Sequence, residues 1–210
     1  MIAAYGMTET AHQAASNPLP RDGARKDDAV GLASGLQISI ITADGSRAAD
    51  GETGEVCVRG PALTSGYLND PQDTAAAFSG GWFHTGDLGY LDPTGYLFLS
   101  GRIKDMINRG GEKIAPYTVE MALLSQPAVQ DALAFPVPDP TYGEEVNAAV
   151  ILQPGHHATE ADLQRYCRSR LAAFEVPKRI HFLDRFPRTA KGDGDRRALA
   201  AALANPGRAS

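Results

Sequence analysis

The chain has 210 residues, room for one large domain or two small ones. Its hydrophobic fraction of 43% is enough for a packed core. A net charge of −5 with no long basic run argues against nucleic acid or an anionic membrane as partner. The start, MIAAYGMTETAHQ, lacks the basic and long apolar stretches of a secretory signal, and the final PGRAS is not an SKL-type peroxisomal address. No run reaches the length of a membrane span. Cys57 and Cys167 follow no metal-ligand spacing and read as reduced thiols. A soluble cytoplasmic protein is expected.

Taken in chain order, residues 17–30 are rich in Pro, Asp and basic side chains and read as an exposed loop. The β-branched run LQISII at 36–41 and the alternating GEVCVRG at 54–60 read as strands. Phe83, the 88–91 run and GYLFLSG at 95–101 supply further short strands, with a turn over 92–95. Short strands at regular spacing predict a small β-barrel or sandwich through residue 101.

Beyond Lys104 the character changes. Proline in the first turn predicts a helix over 116–125, and strands follow at 131–137 and 145–152. Thr159-Glu160-Ala161-Asp162 is a capping box opening a helix through Ala172, with Leu163, Tyr166, Cys167, Arg170 and Leu171 on one face. A strand at 178–183 and an alanine-rich helix at 195–204 complete a small α+β domain.

Four segments carry chemistry. Tyr5-Gly6-Met7-Thr8-Glu9 sets an aromatic ring, a hydroxyl and a carboxylate on one short loop, which suits a nucleotide with its Mg²⁺. A capped turn has the same composition. In His84-Thr85-Gly86-Asp87-Leu88-Gly89, an aspartate between glycines at a strand end can face a ribose diol or bond its own backbone. The charged run from Gly101 to Ile114 contains Gly110-Gly111 near the domain junction, suited to close ligand approach, to a hinge or to a plain linker. The loop from Pro187 to Arg197 is Gly-rich and charged before a helix, and reads as an anion site or a solvated tail.

In this order and spacing the four segments resemble the adenylate-forming acyl-CoA synthetase superfamily, the AMP-binding enzymes. The resemblance runs through residues 51–78, 80–116 and 127–155 and covers nearly the whole chain. Thr8-Glu9-Thr10-Ala11-His12-Gln13, Ser16-Asn17-Pro18-Leu19-Pro20, INRGGEKIAP and YGEEVNAAVI look most like the oxalate–CoA ligase branch. The implied architecture is α+β: a partial β-barrel subdomain over 1–103, a small mobile C-terminal domain over 104–205 and a tail over 206–210.

The implied reaction joins ATP and a carboxylate into an acyl-adenylate, after which the C-terminal domain rotates and the thiol of coenzyme A displaces AMP. By that resemblance Tyr5 stacks on adenine beside Gly6, Thr8 touches phosphate and Glu9 holds Mg²⁺. Asp87 and Arg102 take the ribose hydroxyls, and Lys104 stands at the hinge. Gly110, Gly111 and Lys113 line the CoA approach, and His12 meets a small dicarboxylate such as oxalate.

Two departures qualify this expectation. The family's phosphate loop lies well before the YGxTE-type segment, and only four residues precede Tyr5, so an N-terminal ligase half in cis or trans is expected as partner. The family loop P-x-T-x-(S/T)-G-K-(I/V)-x-R places its lysine where this chain has Asp193, with Lys191 two residues earlier. Without that phosphate loop this chain alone is not expected to adenylate, and the aspartate, which inverts the charge offered to the α-phosphate, is expected to impair adenylation severely even with the missing half restored. Thr118, where glutamate is usual, and Glu175, where lysine is common, are lesser departures. The competing expectation is a non-catalytic module that binds nucleotide, CoA or another protein.

Overall fold

The structure is a computed structural model that describes residues 2–189, 192 and 194–204. The chain divides into two units, Met1–Lys104 and Asp105–Ser210.

The first unit is mainly sheet. Strands β1 (Ala4–Tyr5), β2 (Ala15–Ser16) and β3 (Leu32–Ala33) form a small antiparallel sheet. Strands β4 (Gln37–Ile41) and β5 (Gly54–Arg59), helix α1 (Pro71–Ala77), and strands β6 (Phe78–Ser79), β7 (Trp82–Leu91) and β8 (Leu97–Arg102) follow. β7 pairs with β5 on one side; on the other it pairs with β6 along its first half and β8 along its second. This five-stranded sheet does not close, so the partial barrel is an open antiparallel one. Period-two alternation sends Ile40, Val56, Val58 and Phe83 into one core with Tyr5, Ala15 and Leu97.

Two local outcomes differ from expectation. The 82–91 segment is one ten-residue strand rather than separate pieces, so Asp87 lies within a strand and not at its end. α1 was not foreseen, although Asp70 caps it by accepting from the Asp73 N–H at 2.9 Å and Pro71 fixes its first turn. It buries no residue, so no apolar periodicity announces it.

The second unit contains strands β9 (Ile107–Arg109) and β10 (Glu112–Ile114), helix α2 (Pro116–Leu124), strands β11 (Val129–Asp139) and β12 (Gly143–Leu152), helix α3 (Glu160–Arg168), strand β13 (Arg179–Phe182) and helix α4 (Arg196–Ala204). β12 is central, with β11 antiparallel to it and β13 parallel. Both sheet faces are covered. Ala132 and Ala134 face a core with Val119, Leu123, Leu163 and Cys167, while Leu133 and Phe135 face Phe186 and Leu199 of the α4 side. That two-sided burial is why the 132–135 run reads as continuous apolar sequence rather than alternation. The Thr159 capping box forms, with Asp162 N–H donating to the Thr159 hydroxyl at 3.2 Å. α3 ends at Arg168 instead of reaching Ala172, because the chain turns at Ser169 and Glu175 begins a separate turn by accepting from the Ala172 N–H.

Candidate functional site

The densest polar arrangement in the first unit is built by strand register. Asp87 on β7 lies directly opposite Arg102 on β8, so their side chains share one face. Arg102 Nε donates to Asp87 Oδ1 at 2.7 Å, and the Tyr5 hydroxyl donates to Asp87 Oδ2 at 2.7 Å. Asp87 is 5% exposed, so these charge-assisted bonds replace most of its water. The Tyr5 ring packs in the core, and burial, against a smaller opposing effect of Thr85, holds its phenol above the ordinary range. It therefore remains a donor. Thr85 steadies the segment by donating to Val56 O at 2.6 Å and accepting from the Asp87 N–H at 3.1 Å.

An open cleft of about 860 Å³ lies alongside, walled by Thr85, Gly86, Arg102, Lys104, Tyr67 and Glu55 among others. Lys104 closes the first unit, in a 3-10 turn with Ile103 and Asp105. Beneath the wall, Glu55 takes the Gly86 N–H at 2.9 Å and bonds His84 Nδ1 at 2.7 Å, while Cys57 Sγ lies 3.5 Å from the same nitrogen. Burial, reinforced by Glu55, pushes the Cys57 thiol up to about 12.

Thr8-Glu9-Thr10 forms a 3-10 turn whose entry is held by reciprocal bonds between Met7 and Thr10. Thr8 is exposed, and Glu9 Oε1 accepts from the Tyr67 hydroxyl at 3.1 Å. Gly6 is required sterically: a Cβ there would collide with the carbonyl of His12. The chain reverses through left-handed Ala11 and His12, at φ 51° and 72°, leaving the His12 side chain exposed. Thus Tyr5, Asp87 and Arg102 form one network and Glu9 joins Tyr67, while among the described residues the His12 side chain makes no hydrogen bond to either group.

In the second unit Gly110 and Gly111 are the tip of a two-residue hairpin between β9 and β10, at φ 60° and 101°. This is a fixed turn six residues past the unit boundary, not a loose linker. Gly110 N–H donates to Tyr142 O at 2.8 Å, and the Arg109 guanidinium stacks 3.9 Å over the Tyr142 ring. Arg109 Nε also donates to Glu145 Oε1 at 2.6 Å. Lys113 is exposed on β10. The Tyr142 and Glu145 supports come from a segment more than thirty residues away, a pairing no local motif signals.

Asp193 and Lys191 lie outside the described residues. The flanks of their loop are tied together. Asp195 N–H donates to Pro187 O at 2.8 Å, and Arg188 Nη1 donates to Gly192 O at 2.7 Å. Arg196, the first residue of α4, grips buried Glu120 of α2 with bonds of 2.7 and 2.9 Å and donates from Nε to Ala134 O. Sequence reading missed this pair: Arg196 belongs to the charged loop pattern, but nothing local points to Glu120, 76 residues earlier, as its partner.

An open sheet whose buried aspartate is held by a cleft-lining arginine, followed by an α+β unit opened by a Gly-Gly hairpin, fits the adenylate-forming class. The AMP-binding enzyme profile matches residues 1–68, and the AMP-binding enzyme C-terminal domain profile matches 118–193. The chain belongs to this family. It is 52% identical to a probable CoA ligase of Humulus lupulus (CCL9) and 49% identical to the oxalate–CoA ligase of Arabidopsis thaliana, with 95% of this chain aligned to each. It spans 38% and 39% of their lengths. ATP-bound MatB from Rhodopseudomonas palustris superposes with a TM-score of 0.87 at 34% identity, covering 96% of this chain and 40% of that one. Among the described residues no helix is long and apolar enough to cross a membrane.

Proposed function

We propose that this chain is the C-terminal part of an acid–CoA ligase that uses ATP to activate a small carboxylate and passes the acyl group to coenzyme A. The Asp87 network carries the reading. A buried carboxylate bound by Tyr5 and Arg102 at the edge of a cleft keeps about two acceptor positions free, the number a ribose diol needs. In this reading Asp87 and Arg102 hold the ribose, Tyr5 and Gly6 shape the base side, and Thr8 reaches phosphate.

Glu9 has one carboxylate oxygen without a partner among the described residues, which fits a Mg²⁺ that keeps most of its own waters. Bound there, the ion would neutralise phosphate charge as pyrophosphate leaves. Lys104 would serve as hinge. The Gly110-Gly111 tip has no side chain to obstruct a thiol, and Lys113 stands beside it for the pantetheine arm. His12 would face a small dicarboxylate, a role favoured by the likeness to oxalate–CoA ligases. The rest of the site would come from the part of the ligase that this chain does not span, in cis or in trans, and the cytoplasm is the proposed compartment.

One residue favours a second reading, a non-catalytic module that binds nucleotide, CoA or another protein. Asp193 stands where the family's lysine supplies positive charge. The test fuses this chain to the N-terminal three-fifths of the Arabidopsis relative. It follows oxalate-dependent ATP–pyrophosphate exchange and, separately, acyl transfer from preformed acyl-adenylate to CoA. The ligase reading expects weak exchange, restored by Asp193→Lys, and measurable transfer that Asp87→Asn reduces about 10–100-fold. No transfer, together with no gain from Asp193→Lys, would establish the binding module instead.

A further inference from the structure

We propose that Glu55, Cys57 and His84 form a binding site for a thiophilic divalent cation of the zinc class on the wall of the first-unit cleft. The site does not depend on the ligase reading. Glu55 and Cys57 are two apart on β5 and project to the same face. His84 is the direct cross-strand partner of Cys57 on β7, and the register irregularity between Glu55 and Cys57 lets Glu55 lean toward the imidazole. Thiol, imidazole and carboxylate thereby come together without any sequence spacing that would announce a metal site. Their donor atoms all lie within 4.8 Å of one another.

Two of the three donor–donor edges can be set against those of a tetrahedral ion. Bond lengths of about 2.3 Å to sulfur and about 2.0–2.1 Å to nitrogen or oxygen put the sulfur–nitrogen edge near 3.6 Å and the nitrogen–oxygen edge near 3.3 Å. Cys57 Sγ and His84 Nδ1 are already 3.5 Å apart. His84 Nδ1 and Glu55 Oε2 are 2.7 Å apart and must open by about half an ångström. Glu55 has the means to do so while remaining anchored, because its other oxygen is held by the Gly86 N–H at 2.9 Å. Glu55 and His84 also line the cleft, giving the ion its path in and leaving the fourth position to water. Three protein ligands plus one open position is the arrangement of an exchangeable zinc site rather than a closed structural one.

Loading balances simply. The cation bonds to the Cys57 sulfur as its proton leaves to solvent, and the imidazole proton passes from Nδ1 to Nε2 through water. One proton is released per ion if the carboxylate is already ionised. Gly86 and Asp87 adjoin the anchor, so an ion here also stiffens the strand that carries Asp87.

The test uses the tag-free full chain and Co²⁺ alone as probe, followed by Zn²⁺ competition against a chromophoric chelator. One Co²⁺ per chain with a thiolate-to-cobalt charge-transfer band, displaced by Zn²⁺, is the expected result. Cys57→Ser should abolish the band. Glu55→Gln, which keeps the anchor to Gly86, should weaken Zn²⁺ at least as much as the roughly 10–100-fold that loss of an outer-shell partner costs. Cys167→Ser should change nothing. A circular dichroism spectrum of each variant guards against misfolding, and Glu55→Gln remains informative if Cys57→Ser does not fold. Absence of stoichiometric binding, a band that survives Cys57→Ser, or Zn²⁺ affinity indifferent to Glu55→Gln overturns the site.

Discussion

Removing the Arg196 guanidinium should destabilise the second unit by an amount that depends on pH. Glu120 is 7% exposed on α2, and Arg196 supplies two of its three hydrogen bonds; the third comes from the Ala134 N–H at 2.9 Å. Breaking a buried pair from one side costs about 3–5 kcal/mol, because the remaining charge stays buried. The Arg196 side chain is 28% exposed, so water can reach part of the vacated space, and about 2–4 kcal/mol is the working figure for Arg196→Leu near pH 8.

The sign of the pH dependence follows from Glu120. Burial already raises its carboxyl above the ordinary range, Asp131 pushes the same way, and Arg196 is the chief opposing charge. Asp105 lies 3.7 Å from Arg196 and shares its field. Without Arg196 the upward shift grows. A carboxyl with a raised folded pKa favours the fold while protonated, and that contribution is lost as pH climbs from the unfolded pKa of about 4.3 through the folded one. The deficit of Arg196→Leu should therefore shrink to about 1 kcal/mol near pH 4.5, where only hydrogen bonds and packing are missing. Hydrogen–deuterium exchange of peptides spanning 116–124 and 129–139 reads the local free energy without assuming that both units unfold together. Adding Glu120→Gln to Arg196→Leu should recover part of the deficit near pH 8. A deficit equal at both pH values, or no recovery in the double variant, would refute the reasoning.

Two further outcomes are expected. Gly110→Ala must hold φ near 60° with its Cβ 3.1 Å from the Tyr142 ring, so it should cost about 1–2 kcal/mol and, in the reconstituted ligase, slow thiol transfer more than pyrophosphate exchange; equal slowing would detach the hairpin from the CoA step. Tyr5→Phe keeps the packed ring but removes a donor to the buried Asp87 carboxylate, for a loss of about 1–3 kcal/mol in urea denaturation monitored through Trp82. An unchanged midpoint would mean that water replaces the hydroxyl.

Legibility in the sequence followed the range of each interaction. The strand at 37–41 and the capping box at Thr159 are set by neighbours a few residues apart, and they were readable. The interior place of Asp87 was not. Gly86 and Gly89 suggested a strand end, whereas Gly89 is needed inside the sheet: a Cβ there would collide with the Phe98 carbonyl. Gly110-Gly111 likewise left close ligand approach, a hinge and a plain linker open, and its positive φ values serve a hairpin. Local sequence signalled that glycine was required at these places; the partner strand decided why.

The same dependence on pairing decides where chemistry gathers. Asp87 meets Arg102 across the β7–β8 pairing, and Cys57 meets His84 across the β5–β7 pairing. Slipping β5 by one residue would send its side chains to the opposite face and dissolve the Cys57–His84 cluster, and slipping β8 would do the same to the Asp87–Arg102 pair. The hydrophobic alternation of Val56 and Val58 forbids that slip on the β5 side, since each is fully buried. A core that tolerates only one β5 register therefore also fixes the three ligands proposed to hold a cation. Substitutions at Val56 or Val58 that loosen the β5 register should weaken the cation site, although neither valine side chain contributes a polar atom to it.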